Sequence, residues 1–155
     1  IAAVRALRPD VVRYSQGSYE KLLAPPAATG LTLIERALVA LRVAVLTDSP
    51  TLMQHYRQRL ADLGVAPTTL AAIAQPDNIV ADNMMALDQR SAAIMRHVDL
   101  LTRAPGQATP EDLHKLQASG LSGPEIVTLS QLIAFLSFQV RVLPVLSLLA
   151  EGEAA

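Results

Sequence analysis

The sequence predicts an all-α fold, a bundle of about seven helices in a single domain, and three observations carry that expectation. Hydrophobic residues make up 51% of the chain but aromatic residues only 3%, so the core has to be built from Leu, Val, Ala and Ile. Alanine and leucine lead the helix scale, whereas strands prefer aromatic and β-branched side chains. Apolar residues recur at helical spacing, and no segment alternates as a strand does. Proline, glycine and capping residues punctuate the chain where helices would begin and end. At 155 residues the chain is long enough to bury a real core within one domain. No repeat of fixed period is evident.

Taken in order, residues 1–7 read as a frayed helical turn or two, stopped by Arg8-Pro9. Residues 10–23 form a weaker helical segment with Val11, Tyr14, Leu22 and Leu23 apolar, interrupted by Gly17 and ended by Ala24-Pro25-Pro26. The stretch 33–63 organises the rest. Its first half, residues 38–46, is aliphatic on every side except at Arg42, the mark of a helix at the centre of a bundle. A tight polar corner, Thr47-Asp48-Ser49-Pro50, follows, with Ser49 at a capping position and proline where its missing N–H costs nothing. Leu52, Met53, Tyr56, Leu60 and Leu63 then mark one apolar face, and Gly64 closes the helix.

Residues 67–74 make a short alanine-rich helix. From about Met84 to Arg103, Leu87, Ile94, Val98 and Leu101 recur at helical spacing. Thr109-Pro110-Glu111-Asp112 has the form of a helix start, with Gly120 ending that helix, and Ser122-Gly123-Pro124-Glu125 repeats the device as a capping box. The last helix runs from Pro124 towards Leu149, and Pro144 gives it a place to bend.

Charge and cysteine usage narrow the function classes. The formal net charge is −1, without a basic stripe, so nucleic acid is not an expected partner. The sequence contains no cysteine, which removes disulfides, thiolate metal sites and thiol catalysis by these residues. Residues 1–7 are short and carry Arg5, which does not read as a secretory signal, and the expected compartment is the cytoplasm. The segment 126–149 is long enough to cross a bilayer. It carries Gln131, Gln139 and Arg141, however, and an unpaired central arginine is costly in lipid, so no membrane is expected. The surplus apolar surface is expected to end in a subunit interface.

Two stretches resemble a known superfamily. The central helix pair, and the run LLTRAPGQATPEDLHKLQASGLSGPEIVTLSQLIAFLSFQVR in the second half, resemble the AhpD-like proteins. These include alkylhydroperoxidase AhpD, the peroxidase-related proteins and carboxymuconolactone decarboxylase, and the likeness is greatest to the peroxidase-related members. It spans most of residues 31–149, which leaves residues 1–30 as an N-terminal extension of the same domain. The resemblance implies an all-helical fold assembled as trimers or hexamers.

The family's catalytic groups do not carry over. Peroxidatic members place C-x-x-C-x-x-x-H at the start of the second central helix, where the helix dipole and free N–H groups lower a thiol's pKa, with a glutamate on the first helix. On this chain the resemblance puts Ser49 at the first cysteine, Leu52 at the second, Tyr56 at the histidine and Ala37 near the glutamate. Val140 stands in place of the family's asparagine, though Arg141 remains. A serine hydroxyl stays protonated and has no redox chemistry. Ser49 as an acyl-transfer nucleophile with His55 as base is disfavoured by their spacing and by the absence of an acid behind the histidine.

The leading expectation is therefore a non-redox protein that binds a small apolar or acyl-type molecule, or a partner subunit, in a degenerate pocket near residues 47–56. Thr47, Asp48, Gln131 and Gln139 are candidate lining residues. Gln131 and Gln139 lie eight residues apart on an apolar helix and need partners if buried, by tying helices, bridging subunits or lining the pocket. One alternative is a cofactor-free acid–base enzyme of the carboxymuconolactone decarboxylase type, with His55, Tyr56 and Arg141 as candidates. Another is a structural partner of a cysteine-bearing subunit.

Among the three histidines no pair has a metal-ligand spacing, and neither metal nor cofactor is expected. His97 with Asp99 could suggest metal binding, but residues two apart point to different sides of a helix, and His97 is expected in an ion pair or at the surface. His114, one turn from Glu111, reads as part of a solvated face. Met53, Met84, Met85 and Met95 read as core filler.

Overall fold

A computed structural model of the chain describes residues 6–27, 29–75 and 87–152. Among them are seven α-helices and no strand: α1 (Pro9–Leu22), α2 (Leu33–Leu46), α3 (Pro50–Asp62), α4 (Pro67–Ile73), α5 (Gln89–Arg103), α6 (Pro110–Ala118) and α7 (Gly123–Gly152). Residues 1–5, and Met84 and Met85 with their neighbours, lie outside the described residues. The helix expected from Met84 begins at Gln89, because Asp88 caps it by accepting the Ser91 amide at 2.8 Å.

The buried helix at the centre is α2, as its composition dictates. It packs against α3, α5 and α7, and every residue from Glu35 to Val45 is buried. It starts with a capping box in which the Thr32 hydroxyl accepts the Glu35 amide at 3.1 Å and the Glu35 carboxylate accepts the Thr32 amide at 2.7 Å. Burying the aliphatic side chains of α2 contributes about 1.5–3 kcal/mol apiece.

Two arginines on this buried helix donate to fixed partners on other segments. Arg36 donates to the Leu31 and Leu22 carbonyls at 2.9 and 2.7 Å, which ties the end of α1 to the start of α2. Arg42 is fully buried and forks onto Asp99 of α5, at 2.7 Å from Nε and 2.6 Å from Nη2. Its Nη1 donates to the carbonyls of Ile73 and Gln75. One guanidinium thus joins α2, α5 and the end of α4, in the bidentate geometry that suits arginine.

Three helices end in the same way. Gly64 (φ +77°) and Gly120 (φ +88°) each close a helix in the left-handed region, followed by amide-to-carbonyl bonds Val65 to Leu60 and Leu121 to Leu116. The end of α2 repeats the pattern, with Asp48 to Val45 and Ser49 to Ala44, but the left-handed residue there is Asp48 (φ +48°). Ser49 occupies the N-cap position of α3 without a side-chain capping bond, so the serine does not cap as its type suggests.

α7 is long and apolar enough to cross a membrane. Its first half packs into the bundle through Ile126, Leu129, Leu132, Ile133 and Leu136, spaced three and four apart. Its second half carries exposed apolar side chains, among them Val145, Leu148 and Leu149. No residue of α1 is buried, although Leu23 just beyond it is.

Candidate functional site

The corner between α2 and α3 presents an exposed Asp48 and a half-buried Ser49. The Thr47 hydroxyl is turned back to donate to the Val43 carbonyl at 2.7 Å, which occupies it within its own helix. Ala37 lies in the core at 2% exposure, so a methyl group fills that point of α2.

Leu52, His55 and Tyr56 project from α3 towards α1 and α7. They line a cavity of about 400 Å³ together with Tyr19, Phe135 and Gln139. The lining is mostly apolar, and its polar residues are Tyr19, Tyr56, His55, Gln16, Gln139, Ser15 and Thr51. Size and composition both fall in the range of small-molecule pockets. A second apolar groove of about 310 Å³ runs on between α1 and α7, lined by Val11, Val12, Phe138, Val142 and Leu146, with Arg8 at its edge. Ser15 and Gln139 line both spaces, which makes the two neighbours along a trough at the α1–α7 seam.

Tyr56 is 4% exposed, and burial pushes its phenol up to about 12, with Tyr19 adding to the shift and Arg59 opposing it. The group therefore stays protonated at neutral pH and can donate a hydrogen bond but not serve as a base. His55 is exposed at the mouth and meets the Tyr56 ring edge-on, with centroids 4.9 Å apart. Arg59 donates to the Tyr19 hydroxyl at 3.1 Å and the Leu23 carbonyl at 2.9 Å, holding the end of α1 against α3.

The candidate residues divide. His55, Tyr56, Leu52 and Gln139 share the cavity, whereas Thr47, Asp48 and Ser49 form the corner and do not line it. Gln131 is exposed, so the two glutamines separate, one into solvent and one into the trough. Arg141 is also exposed and donates to the Ser137 carbonyl of its own helix at 2.7 Å, away from His55 and Tyr56.

Where the structure departs most from expectation is His97. It is neither ion-paired nor on the surface: it is 5% exposed between α5 and α6, and neither ring nitrogen has a hydrogen-bond partner. The only other buried side-chain polar atom in that position among the described residues is the Thr102 hydroxyl. Burial lowers the His97 pKa, with Asp112 opposing the shift. Asp99, two residues on, is turned away from it to Arg42, as the spacing implies. The usable signal was the run Ala93, His97 and Leu100, which places the histidine on the apolar stripe of α5.

The helical arrangement is similar to two crystal structures. One is the alkylhydroperoxidase AhpD core of an uncharacterised peroxidase-related protein from Ralstonia eutropha JMP134, with a TM-score of 0.75 and 18% identity over 89% of this chain and 69% of that one. The other is an uncharacterised peroxidase-related protein from Silicibacter sp. TM1040, with a TM-score of 0.78 and 17% identity over 94% of this chain and 73% of that one. The fold is AhpD-like. No protein-family model matches the sequence, and no curated protein is recognisably similar to it. Within this AhpD-like frame the chain supplies no thiol anywhere along its 155 residues, and the cavity beside α3 is walled by phenols, an imidazole, amides, small hydroxyls and hydrocarbon.

Proposed function

We propose that this chain uses an AhpD-like scaffold, without thiol chemistry, to bind a small and largely apolar molecule in the cavity between α1, α3 and α7. The observation that carries the reading is the shape and lining of that space. It has about 400 Å³ of room, a largely apolar lining and a few polar groups, and it adjoins the groove along α1. The two spaces adjoin at Ser15 and Gln139, which favours an elongated ligand of acyl type, its polar end near Tyr56 and His55 and its tail running towards Val142 and Leu146. Tyr56, held protonated, is suited to donate to a carbonyl or hydroxyl oxygen.

Self-association belongs to the same proposal. The exposed apolar side chains in the second half of α7 are the surface that a homo-oligomer of the kind implied by the sequence resemblance would cover.

The test is binding of the neutral fluorescent probe N-phenyl-1-naphthylamine to the full chain, and its displacement by linear alcohols and acids of increasing length. Saturable binding that strengthens with chain length is expected. Ser15→Trp, at the junction of the two spaces on a helix with no buried residues, is expected to weaken it about tenfold or more without unfolding the bundle. Equal binding by the variant and the original chain counts against the reading.

A further inference from the structure

We propose that the cavity between α1, α3 and α7 takes its ligand as an anion, the carboxylate of a linear fatty acid, with Tyr56 and Tyr19 as hydrogen-bond donors and Arg59 behind Tyr19. The inference rests on the reading of that space as a ligand site and names the head group it selects.

Tyr56 supplies the observation. The residue is 4% exposed, and its hydroxyl has no hydrogen-bond partner among the described residues. Yet the sealed side-chain polar atoms that lack a partner there belong to His97 and Thr102. The Tyr56 oxygen is therefore open, and the space this residue lines is the cavity. Buried polar groups are nearly always paired, so an unspent O–H at a largely apolar space calls for an acceptor from outside the chain. Water can meet that O–H but gains nothing from the apolar walls, which a hydrocarbon chain fills.

The surroundings select the acceptor. The Tyr19 oxygen already accepts from Arg59 Nη1 at 3.1 Å, while no protein group among the described residues takes its proton, so Tyr19 too is left with a donor to offer. Arg59 has no ion-pair partner among the described residues. Of the acids nearby in sequence, Asp62 accepts from Gln58 at 2.8 Å and Glu20 from Gln16 at 2.9 Å. No aspartate or glutamate lines the cavity or the adjoining groove. The Arg59 charge reaches the Tyr56 phenol, because it opposes the upward shift that burial causes there. The uncompensated charge beside the two phenols is thus positive. Hydrogen bonds to an ionised acceptor are roughly twice as strong as those to a neutral one, which favours a carboxylate over a hydroxyl.

Sodium octanoate and 1-octanol, equal in chain length, are compared at neutral pH by displacement of N-phenyl-1-naphthylamine from the full chain. Octanoate is expected to bind the more tightly, although transfer out of water favours the uncharged alcohol. Tyr56→Phe removes only the hydroxyl and is expected to weaken octanoate about tenfold and octanol by less. Arg59→Gln is expected to weaken octanoate about tenfold while octanol stays within about twofold, and Arg59→Lys, which keeps the charge, to recover most of the loss. An Arg59 that only holds α1 in place would lower both ligands together. Tyr56→Phe preserves the core volume and reports on the site even if the Arg59 variants loosen α1. Tighter binding of octanol, or an octanoate-to-octanol ratio that Tyr56→Phe leaves unchanged, overturns the head-group assignment and leaves the cavity as a ligand site. Displacement by neither ligand overturns both.

Discussion

Asp48 holds a left-handed backbone at a position where the same helix-ending motif uses Gly64 and Gly120 elsewhere in the chain. Aspartate visits that region more readily than most residues but still at a cost that glycine avoids. Asp48→Gly is therefore expected to raise stability by about 0.5–1 kcal/mol, the left-handed strain relieved less the entropy glycine loses, as urea denaturation will show. At His97 the sign of the pH effect follows from burial. Its folded pKa lies below the unfolded value of 6.5, so the unfolded chain takes up the proton first. The stability present above that pH is lost as pH falls through it towards the folded value. His97→Phe removes two unpaired polar atoms from the core, and is expected to abolish this component and to leave the thermal midpoint equal to or above that of the original chain. These residues were the least legible in the sequence. Ser49-Pro50 looked like a side-chain cap and is not one, and His97 read as paired or exposed although its spacing from Ala93 and Leu100 puts it on the buried stripe of α5.

Helices were far more legible, because periodicity and capping are local. The apolar stretch of α2, the proline-led starts of α3, α4 and α6, and the glycines after α3 and α6 could all be placed from composition and spacing. What spacing could not supply was which helix each arginine would clamp, since Arg42 meets Asp99 only once the chain is folded. Asp99→Ala removes the carboxylate that accepts from both Nε and Nη2 of the buried Arg42 and is expected to cost about 3–5 kcal/mol in urea denaturation. At the far end of α5, Arg90 bridges Glu35 at 2.6 Å and Glu125 at 2.5 Å and donates to the Gly120 carbonyl, which joins the starts of α2, α5 and α7. The Ser122 hydroxyl and amide, with Arg90 adding to them, hold Glu125 down to about 2. Bonds from Lys115 and Thr109 hold Asp112 at about 2 as well. Both carboxylates are depressed below their unfolded values of 4.5 and 3.8, so their contribution is present above those values and lost as pH falls towards 2. Acid titration followed by circular dichroism is expected to show this loss, with a smaller one in Glu125→Gln.

At the scale of the whole molecule, an aliphatic, aromatic-poor sequence folds as an AhpD-like bundle around one buried helix, and the space beside α3 is walled by Leu52, His55 and Tyr56. The class of fold was readable because it depends on average composition and on residues 33–63. The trough along α1 was not, since it arises from loose packing of a helix with no buried residues against α7. With no cysteine, the chain is expected to show no thiol-dependent peroxide turnover, which a dithiol-coupled assay will check. The central claim is that the space beside α3 is a ligand site, and the most direct measurement is a structure of the chain soaked with a linear C10 alcohol. The account predicts density along the α1–α7 seam with the hydroxyl oxygen within hydrogen-bond reach of the Tyr56 phenol. An empty seam at a concentration that saturates the protein in solution, or the alcohol bound elsewhere, would contradict it.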